Sequence, residues 1–291
     1  MKNRRRSQNV LQRPMVRWSW FFLLPMVSAF AIGFVWPFLQ GIYLSFCEFR
    51  LISDAKWVGL KNYISVFQDT NFMRSFGYTA VFAVVSLAII NVLAFMVAYV
   101  LTLEIKGSNI FRTVFFMPNL IGGVVLGYIW QILINGVLSV VGEPLLALNT
   151  TAGYWGLIIL MCWQQVGYMM IIYIAGIQNI PGELIEAAKI DGANNRQLLR
   201  HVTLPLVMPS ITICSFLTLT NSFKLYDQNL ALTAGEPSNK SEMLALNIYN
   251  TFYGRTGWEG VGQAKAVIFF LAVAVIAMVQ LKLSRSKEVQ A

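Results

Sequence analysis

Charged side chains are scarce in this chain. Asp, Glu, Lys and Arg make up 12% of its 291 residues, against about 25% in a soluble domain. With 57% hydrophobic residues, a chain so poor in charge points to the bilayer. Cysteine is scarce as well: Cys47, Cys162 and Cys214 stand far apart, two of them inside apolar runs. That excludes a disulfide framework and a metal-ligand spacing, and leaves small hydrophobes. The single histidine, His201, has no cysteine or paired carboxylates near it, so it reads as a solvated or interface residue. A phosphate-binding loop is missing too. Lys240-Ser241 closes a stretch from Gly235, but the two positions that need glycine hold Ala234 and Asn239. The chain is expected to have no catalytic, cofactor or metal site, and to hydrolyse no ATP alone.

Bases outnumber acids, and a net charge of +9 raises nucleic acid or anionic lipid as partners. Placement decides against nucleic acid, because Lys and Arg sit beside apolar runs and form no basic face. No long Ser- or Gly-rich linker and no internal repeat divides the chain. It reads as a basic arm (1–17), one transmembrane domain (18–283) and a short tail (284–291).

A helix crossing a hydrocarbon core of about 30 Å needs about 20 apolar residues. Six runs qualify, at roughly 18–44, 76–103, 113–135, 154–176, 206–225 and 264–283. The fifth is the weakest, diluted by Thr212, Ser215, Thr218, Thr220, Asn221 and Ser222. Backbone polar groups in lipid must be bonded internally, so the runs should be helices; the alternation of a membrane β-barrel is absent. An all-α integral membrane protein of six transmembrane helices follows. The first run follows Lys2, Arg4, Arg5, Arg6, Arg13 and Arg17 as a signal peptide would. It is too long for one and lacks a small-x-small cleavage site, so it is an uncleaved span. The basic arm and the tail, with Lys282, Arg285 and Lys287 against Glu288, place both termini in the cytoplasm. Loops at about 47–75, 136–153 and 226–263 then lie outside, and those at about 104–112 and 177–205 inside.

The 177–205 loop is small, polar and helix-sized, as a loop gripped by a soluble partner would be. Pro181 suits a first helical position, Glu183 complements the positive helix end, and Gly192 offers a left-handed stop. A helix from Pro181 to Asp191 is expected. A second begins at Asn194, capped with Gln197 three residues on, and ends before Pro205. Leu184, Ile185 and Ala188 give the first an apolar edge, while Glu186 is left as a lone exposed carboxylate. The other reading is an amphipathic connector on the lipid surface; the loop's balanced charge argues against it.

Polar side chains inside spans are costly and face a cavity or a partner helix. Trp163, Gln164, Gln165 and Tyr168 gather on the fourth span, and Thr218, Asn221 and Ser222 on the fifth. Aromatic faces with amides and hydroxyls suit sugars, whose C–H faces are rimmed by hydroxyls. Helix-to-helix hydrogen bonding is the plainer alternative. Asn91, Asn119 and Gln131 stand alone and read as such bonds. Gly122, Gly123 and Gly127 suggest close helix contact, and Pro25, Pro37 and Pro118 suggest kinks. The spans contain no carboxylate, which disfavours a proton-coupled carrier. A membrane enzyme acting on lipid-linked sugars would need converging acids; Asp227, Glu236, Glu242 and Glu259 are spaced too irregularly for that.

Several segments, taken in order, resemble carbohydrate permeases of binding-protein-dependent ABC importers. These are Trp57-Val58-Gly59-Leu60-Lys61-Asn62-Tyr63 with Phe67, Phe111-Arg112-Thr113-Val114-Phe115-Phe116-Met117-Pro118, and Ala175-Gly176-Ile177-Gln178-Asn179-Ile180-Pro181. Glu186-Ala187-Ala188 with Gly192 and Val202-Thr203-Leu204-Pro205 follows, then Leu232-Thr233 with Gly235 and Pro237. The resemblance covers roughly residues 20–283; it departs at Glu236, where a second glycine is common, and at Val202, where isoleucine is usual. It implies the type I ABC importer permease fold in the cell (inner) membrane, with a cytoplasmic coupling helix. Glu186, Ala187, Ala188, Asp191 and Gly192 would meet the ATPase. It also implies a second, homologous permease, two ATPase subunits that bind ATP-Mg, and an extracytoplasmic sugar-binding protein delivering an oligosaccharide. The maltose-type permease binds sugar at places matching these two spans, Trp163 and Tyr168 most clearly. The same machinery could instead carry a polyol, glycerol phosphate or an acidic sugar. An anionic cargo would want a base in the cavity, and only Lys224 is near.

Overall fold

The computed structural model describes residues 19–103 and 105–286; the expected basic arm and the end of the tail lie outside the described residues. Among the described residues, and apart from short 3-10 turns, twelve helices occur in this order: α1 Ser19–Leu44, α2 Lys61–Gln68, α3 Thr70–Leu101, α4 Ser108–Phe116, α5 Gly123–Val140 and α6 Thr150–Gln178. Then come α7 Gly182–Ile190, α8 Asn195–Leu206, α9 Met208–Phe223, α10 Asp227–Leu232, α11 Leu244–Gly254 and α12 Glu259–Arg285. A two-strand antiparallel hairpin, β1 Cys47–Glu48 and β2 Lys56–Trp57, is the sole sheet among the described residues.

Five helices, α1, α3, α5, α6 and α12, are long and apolar enough to cross a membrane. Helix α6 is their axis: 61% of its apolar window is buried, against 6% for α12 and 0% for α1. Glycines let neighbours close on it. At Gly167 a Cβ would collide with the Phe115 carbonyl of α4, and at Gly176 with the Ser210 hydroxyl of α9. Helix α1 stands off the bundle and meets α12 through Phe38 and Phe270, ring centroids 5.1 Å apart.

Two spans depart from expectation, both because they are broken. The third, expected at 113–135, is interrupted at Pro118. After α4 the chain makes a 3-10 turn over Met117–Leu120, is extended at Ile121 and Gly122, and restarts as α5. Pro118 ends a helix here where a kink was expected, since it lacks the N–H that a continuing turn requires. The fifth, expected at 206–225, does not end there. Contacts along α6 give the depth of each piece. Helix α9 runs antiparallel to it: Ser210 lies at Gly176, the Cys214 thiol bonds to the Met169 carbonyl, and Asn221 bonds to Gln165. Helix α10 continues the same way, with Gln228 at Gln164, Leu232 at Gly156 and Thr233 at Gly153. Helix α9 alone has 16 residues and rises about 24 Å, short of the hydrocarbon thickness. Residues 226–232, expected in a loop, continue the same course along α6 as helix α10.

Proline is absorbed differently elsewhere. In α1 a π turn over Ala31–Val35 precedes Pro37, and in α8 one over Leu199–Thr203 precedes Pro205. A widened turn relieves the clash of the ring with the preceding carbonyls. Helix α8 thus runs past Pro205, where it was expected to stop, and the chain bends by 67° at Val207 before α9.

At the end of the bundle away from α7, a buried ion network ties three helices. Lys265 of α12 is 0% exposed. Its ammonium donates to Asp69 Oδ2 at 2.7 Å, Asn247 Oδ1 at 2.9 Å and Thr251 Oγ1 at 2.7 Å, so all three protons are used. Asn247 and Asn250 both donate to Glu242 at 2.7 Å. Asp69 also caps α3, accepting from the Asn71 amide at 3.0 Å. Burial opposes ionisation of Asp69, but Lys265 and the Asn71 and Phe72 amides hold its carboxyl below the ordinary value. The stabilisation is therefore complete at neutral pH and fades as pH falls through the lowered value.

Lys265→Met alone should leave the buried Asp69 charge with only the more distant Arg255, 3.7 Å away, and destabilise the protein by up to about 3–5 kcal/mol. Adding Asp69→Asn should restore part of that. Thermal unfolding in detergent checks it; equal midpoints for wild type and the single variant would contradict the network's role.

Candidate functional site

The two broken spans meet at one level, the middle of α6. Gln164 is buried there and serves both breaks: its Nε2 donates to the Ile121 carbonyl at 3.4 Å, and its Oε1 accepts from Gln228 Nε2 at 2.8 Å. Ile121 lies in the extended stretch before α5, where no helical partner reaches its carbonyl. In lipid that carbonyl would cost several kcal/mol if unpaired, so an amide side chain replaces the missing partner. The far end of α10 is served likewise, Gln131 Nε2 donating to the Leu232 carbonyl at 3.1 Å. Gln131, expected to bond one helix to another, does so here, joining α5 to the end of α10.

The other expected site residues divide. Gln165 accepts from Asn221 Nδ2 at 3.3 Å, half a turn from the junction. Trp163 is 45% exposed and stands edge-on to Trp130, centroids 5.7 Å apart. Tyr168 is half-buried and turns toward Phe116 of α4, 6.5 Å away. Thr218 is fully enclosed and accepts from Asn91 at 3.3 Å, which accepts in turn from Tyr173 at 2.7 Å. Ser222 is buried and donates to the Thr218 carbonyl at 2.7 Å. The junction thus gathers Gln164, Gln165 and Asn221, while Thr218 and Ser222 join helices α9, α3 and α6.

Sequence reasoning missed the break itself. Lys224 and Asp227 flank it and are exposed, at the level of Gln164. Charges at mid-depth are tolerated only where they face water or protein. The signal was present in the polar residues Thr218, Thr220, Asn221 and Ser222, which read as dilution of the fifth span and lead into the interruption at 224–226. Close packing holds the two breaks together. A Cβ on Gly123 would meet Asp227 and Gln228, and one on Gly127 would meet the Ala231 Cβ at 2.5 Å. Gly122, also expected in contact, has nothing within 4 Å.

A second candidate site lies at the opposite kind of place, on the surface. Helix α7 starts one residue later than expected, with Pro181 as its cap, and ends at Ile190. Gly192, at φ +83°, terminates it. The Ala193 amide donates to the Ala188 carbonyl at 2.9 Å and the Gly192 amide to Lys189 at 3.1 Å, a complete left-handed C-cap. Asn194 and Gln197 exchange the two bonds of a capping box at 2.9 Å each, starting α8. This rigid elbow is anchored by Ile185, which packs into the main core; Ala188 is half-buried. Leu184, expected on the apolar edge, stays 42% exposed. The outward face carries Glu183, Glu186, Ala187 and Ile190, the last 85% exposed, at helical spacing. Asp191 and Gly192 line its rim with His201.

A bundle with two spans broken at mid-depth, joined to a stiff polar elbow at one end, defines a multi-pass membrane transport permease. Residues 90–287 match the binding-protein-dependent transport system inner membrane component, and the chain belongs to that family. It is 45% identical over 280 residues to the probable starch degradation products transport system permease protein AmyD of Thermoanaerobacterium thermosulfurigenes, covering 94% of this chain and 96% of that one. It is 32% identical to the multiple sugar-binding transport system permease protein MsmF of Streptococcus mutans, covering 94% and 97%. The fold is shared with a bacterial ABC transporter that imports the acidic polysaccharide alginate, at a TM-score of 0.79 and 20% identity over 95% of this chain and 98% of that one.

Gly127→Val should push α10 away from α5 and break the Gln131 and Gln228 bonds. Overpacking of this kind costs about 1–3 kcal/mol. The expected outcome is a lower melting temperature with faster protease cleavage between residues 224 and 240; unchanged melting and cleavage would show that the helices are not in register as described.

Proposed function

We propose that this chain is one of two related membrane subunits of an ATP-driven importer, and that it passes an uncharged oligosaccharide along the junction at Gln164. The observation that carries this is the meeting of two interrupted spans at mid-depth, with Gln165, Asn221, Lys224 and Asp227 around it. Helices are interrupted inside a bilayer where they line a water-filled path. Lys224 and Asp227 carry opposite charges three residues apart, a balance that suits a neutral polar cargo better than an anion. Starch degradation products and multiple sugars in the relatives' names support carbohydrate as the class. Trp163, with its half-exposed ring beside the junction, supplies an apolar face for a sugar ring.

In this reading the chain has no nucleotide site of its own. ATP-Mg is bound by two partner ATPase subunits, which dock on the outward face of α7 around Glu186 and Ala187. Asp191 and Gly192 fix the angle at which that face is presented, and Ala188 holds it to the bundle. The termini and α7 lie in the cytoplasm, and an extracytoplasmic binding protein delivers sugar at the opposite end.

Vesicles carrying the assembled importer and its binding protein should take up labelled neutral oligosaccharides and reject acidic ones of equal length. Preference for the acidic form would overturn the neutral assignment. Glu186→Ala should weaken ATPase docking by about 2–5 kcal/mol if its carboxylate meets a base in the interface. Co-purification of ATPase at wild-type yield, with normal uptake, would remove α7 from the coupling role.

A further inference from the structure

Three tyrosines leave the mid-depth break in a file, and nothing so far assigns them a task. Tyr226 lies within the break, between Lys224 and Asp227. Its ring stands 5.0 Å from that of Tyr249 on α11, and Tyr249 stands 4.8 Å from Tyr253 one turn on. The file climbs from the level of Gln164 to the end of the bundle away from α7, because α11 starts at depth, where Thr79 of α3 accepts from the Leu244 amide at 2.9 Å, and ends near the start of α12. Exposure rises the same way: Tyr226 is half-buried, Tyr249 is 43% exposed and Tyr253 72%. The three rings edge a cavity of about 380 Å³ whose opposite wall is Gly262, Gln263 and Ala266 of α12.

Tyrosines at a membrane interface commonly form a belt against lipid. Tyr226 lies too deep for that, since Asn221 and Gln228 on either side of it reach the middle of α6. Packing alone would bury the rings, yet the outer two are open. What the file offers is a succession of apolar faces with hydroxyl edges beside an open cavity. That combination is complementary to a sugar chain, which repeats an apolar ring face and a hydroxyl rim.

We propose that Tyr226, Tyr249 and Tyr253 form an outer carbohydrate subsite, an aromatic ladder that holds the trailing rings of an oligosaccharide while its leading ring occupies the junction at Gln164. The inference rests on the carbohydrate reading of that junction. It adds a specificity: the ladder serves chains of several rings and is little used by a disaccharide, which fits within the junction alone.

The test compares initial uptake of labelled linear gluco-oligosaccharides of two and of six rings by the assembled importer in vesicles. The binding protein is the same and saturating throughout, so a changed ratio reports the permease. Tyr249→Ala with Tyr253→Ala should lower six-ring uptake, relative to two-ring uptake, by about three- to tenfold. Tyr249→Phe with Tyr253→Phe keeps the ring faces and should keep most of the ratio. An unchanged ratio in the alanine variant at equal complex yield overturns the ladder. So does an equal fall for both lengths that tracks a loss of assembled complex, which would mark the tyrosines as packing against the second permease. If the wild type takes up neither sugar, the carbohydrate reading itself fails, an outcome distinct from the other two.

Discussion

A backbone carbonyl inside a bilayer must find a donor, and the architecture here turns on two that have lost theirs. Ile121 lies at the break before α5 and Leu232 at the far end of α10, near Gly156, and Gln164 and Gln131 reach across from neighbouring helices to bond them, Gln164 also holding Gln228 beside the second break. Without those amides, each break would be a several-kilocalorie defect in an apolar medium. With them, two spans can be interrupted at one level without unravelling. The interruption then becomes a place where polar side chains and two exposed charges can exist halfway through a membrane. Every functional reading of the bundle descends from that exchange of helical bonds for side-chain bonds.

Two rigid devices frame this junction. On one side, the cap at Gly192 and the capping box at Asn194 and Gln197 lock α7 against α8, and Ile185 roots the elbow in the core. Helix α7 is thus joined stiffly to α8 and, through the 67° bend at Val207, to α9, whose end is the break itself. On the other side, Lys265, Asp69 and Asn247 clamp α12, α3 and α11. A buried ion pair surrounded by amide and hydroxyl partners is a positional device more than a source of stability, because desolvation offsets most of its attraction. The break at 224–226 lies between this elbow and this clamp.

Much of this was legible from residue order. Apolar runs marked six crossings, five of which stand as single long apolar helices, and Gly192, Asn194 and Gln197 announced their caps correctly because those signals are local. The breaks were harder to read. Pro118 carries the same local signal whether a helix bends or stops, and only the partner waiting for the Ile121 carbonyl decides. The hydroxyls and amide of Thr218, Thr220, Asn221 and Ser222 read as dilution of a membrane helix, when their polarity announced the interruption that follows at 224–226. Lys265 sits where a sixth span begins and carries no local sign of burial; its three acceptors come from segments 14 to 196 residues away in sequence. Among the expected substrate residues, periodicity alone could not tell the face of α9 that carries Asn221 from the face that buries Thr218 and Ser222.

The central claim is that the 224–226 break stands at mid-depth and faces water. It is tested most directly by placing cysteine at Lys224, with Cys47, Cys162 and Cys214 replaced, and treating the assembled importer with a charged, membrane-impermeant thiol reagent. Cysteine at Val275, an exposed position midway along α12, serves as the lipid-facing reference. The account predicts labelling at 224, slowed by bound oligosaccharide, and none at 275. No reaction at 224, or reaction there only with an apolar reagent that also labels 275, would contradict it.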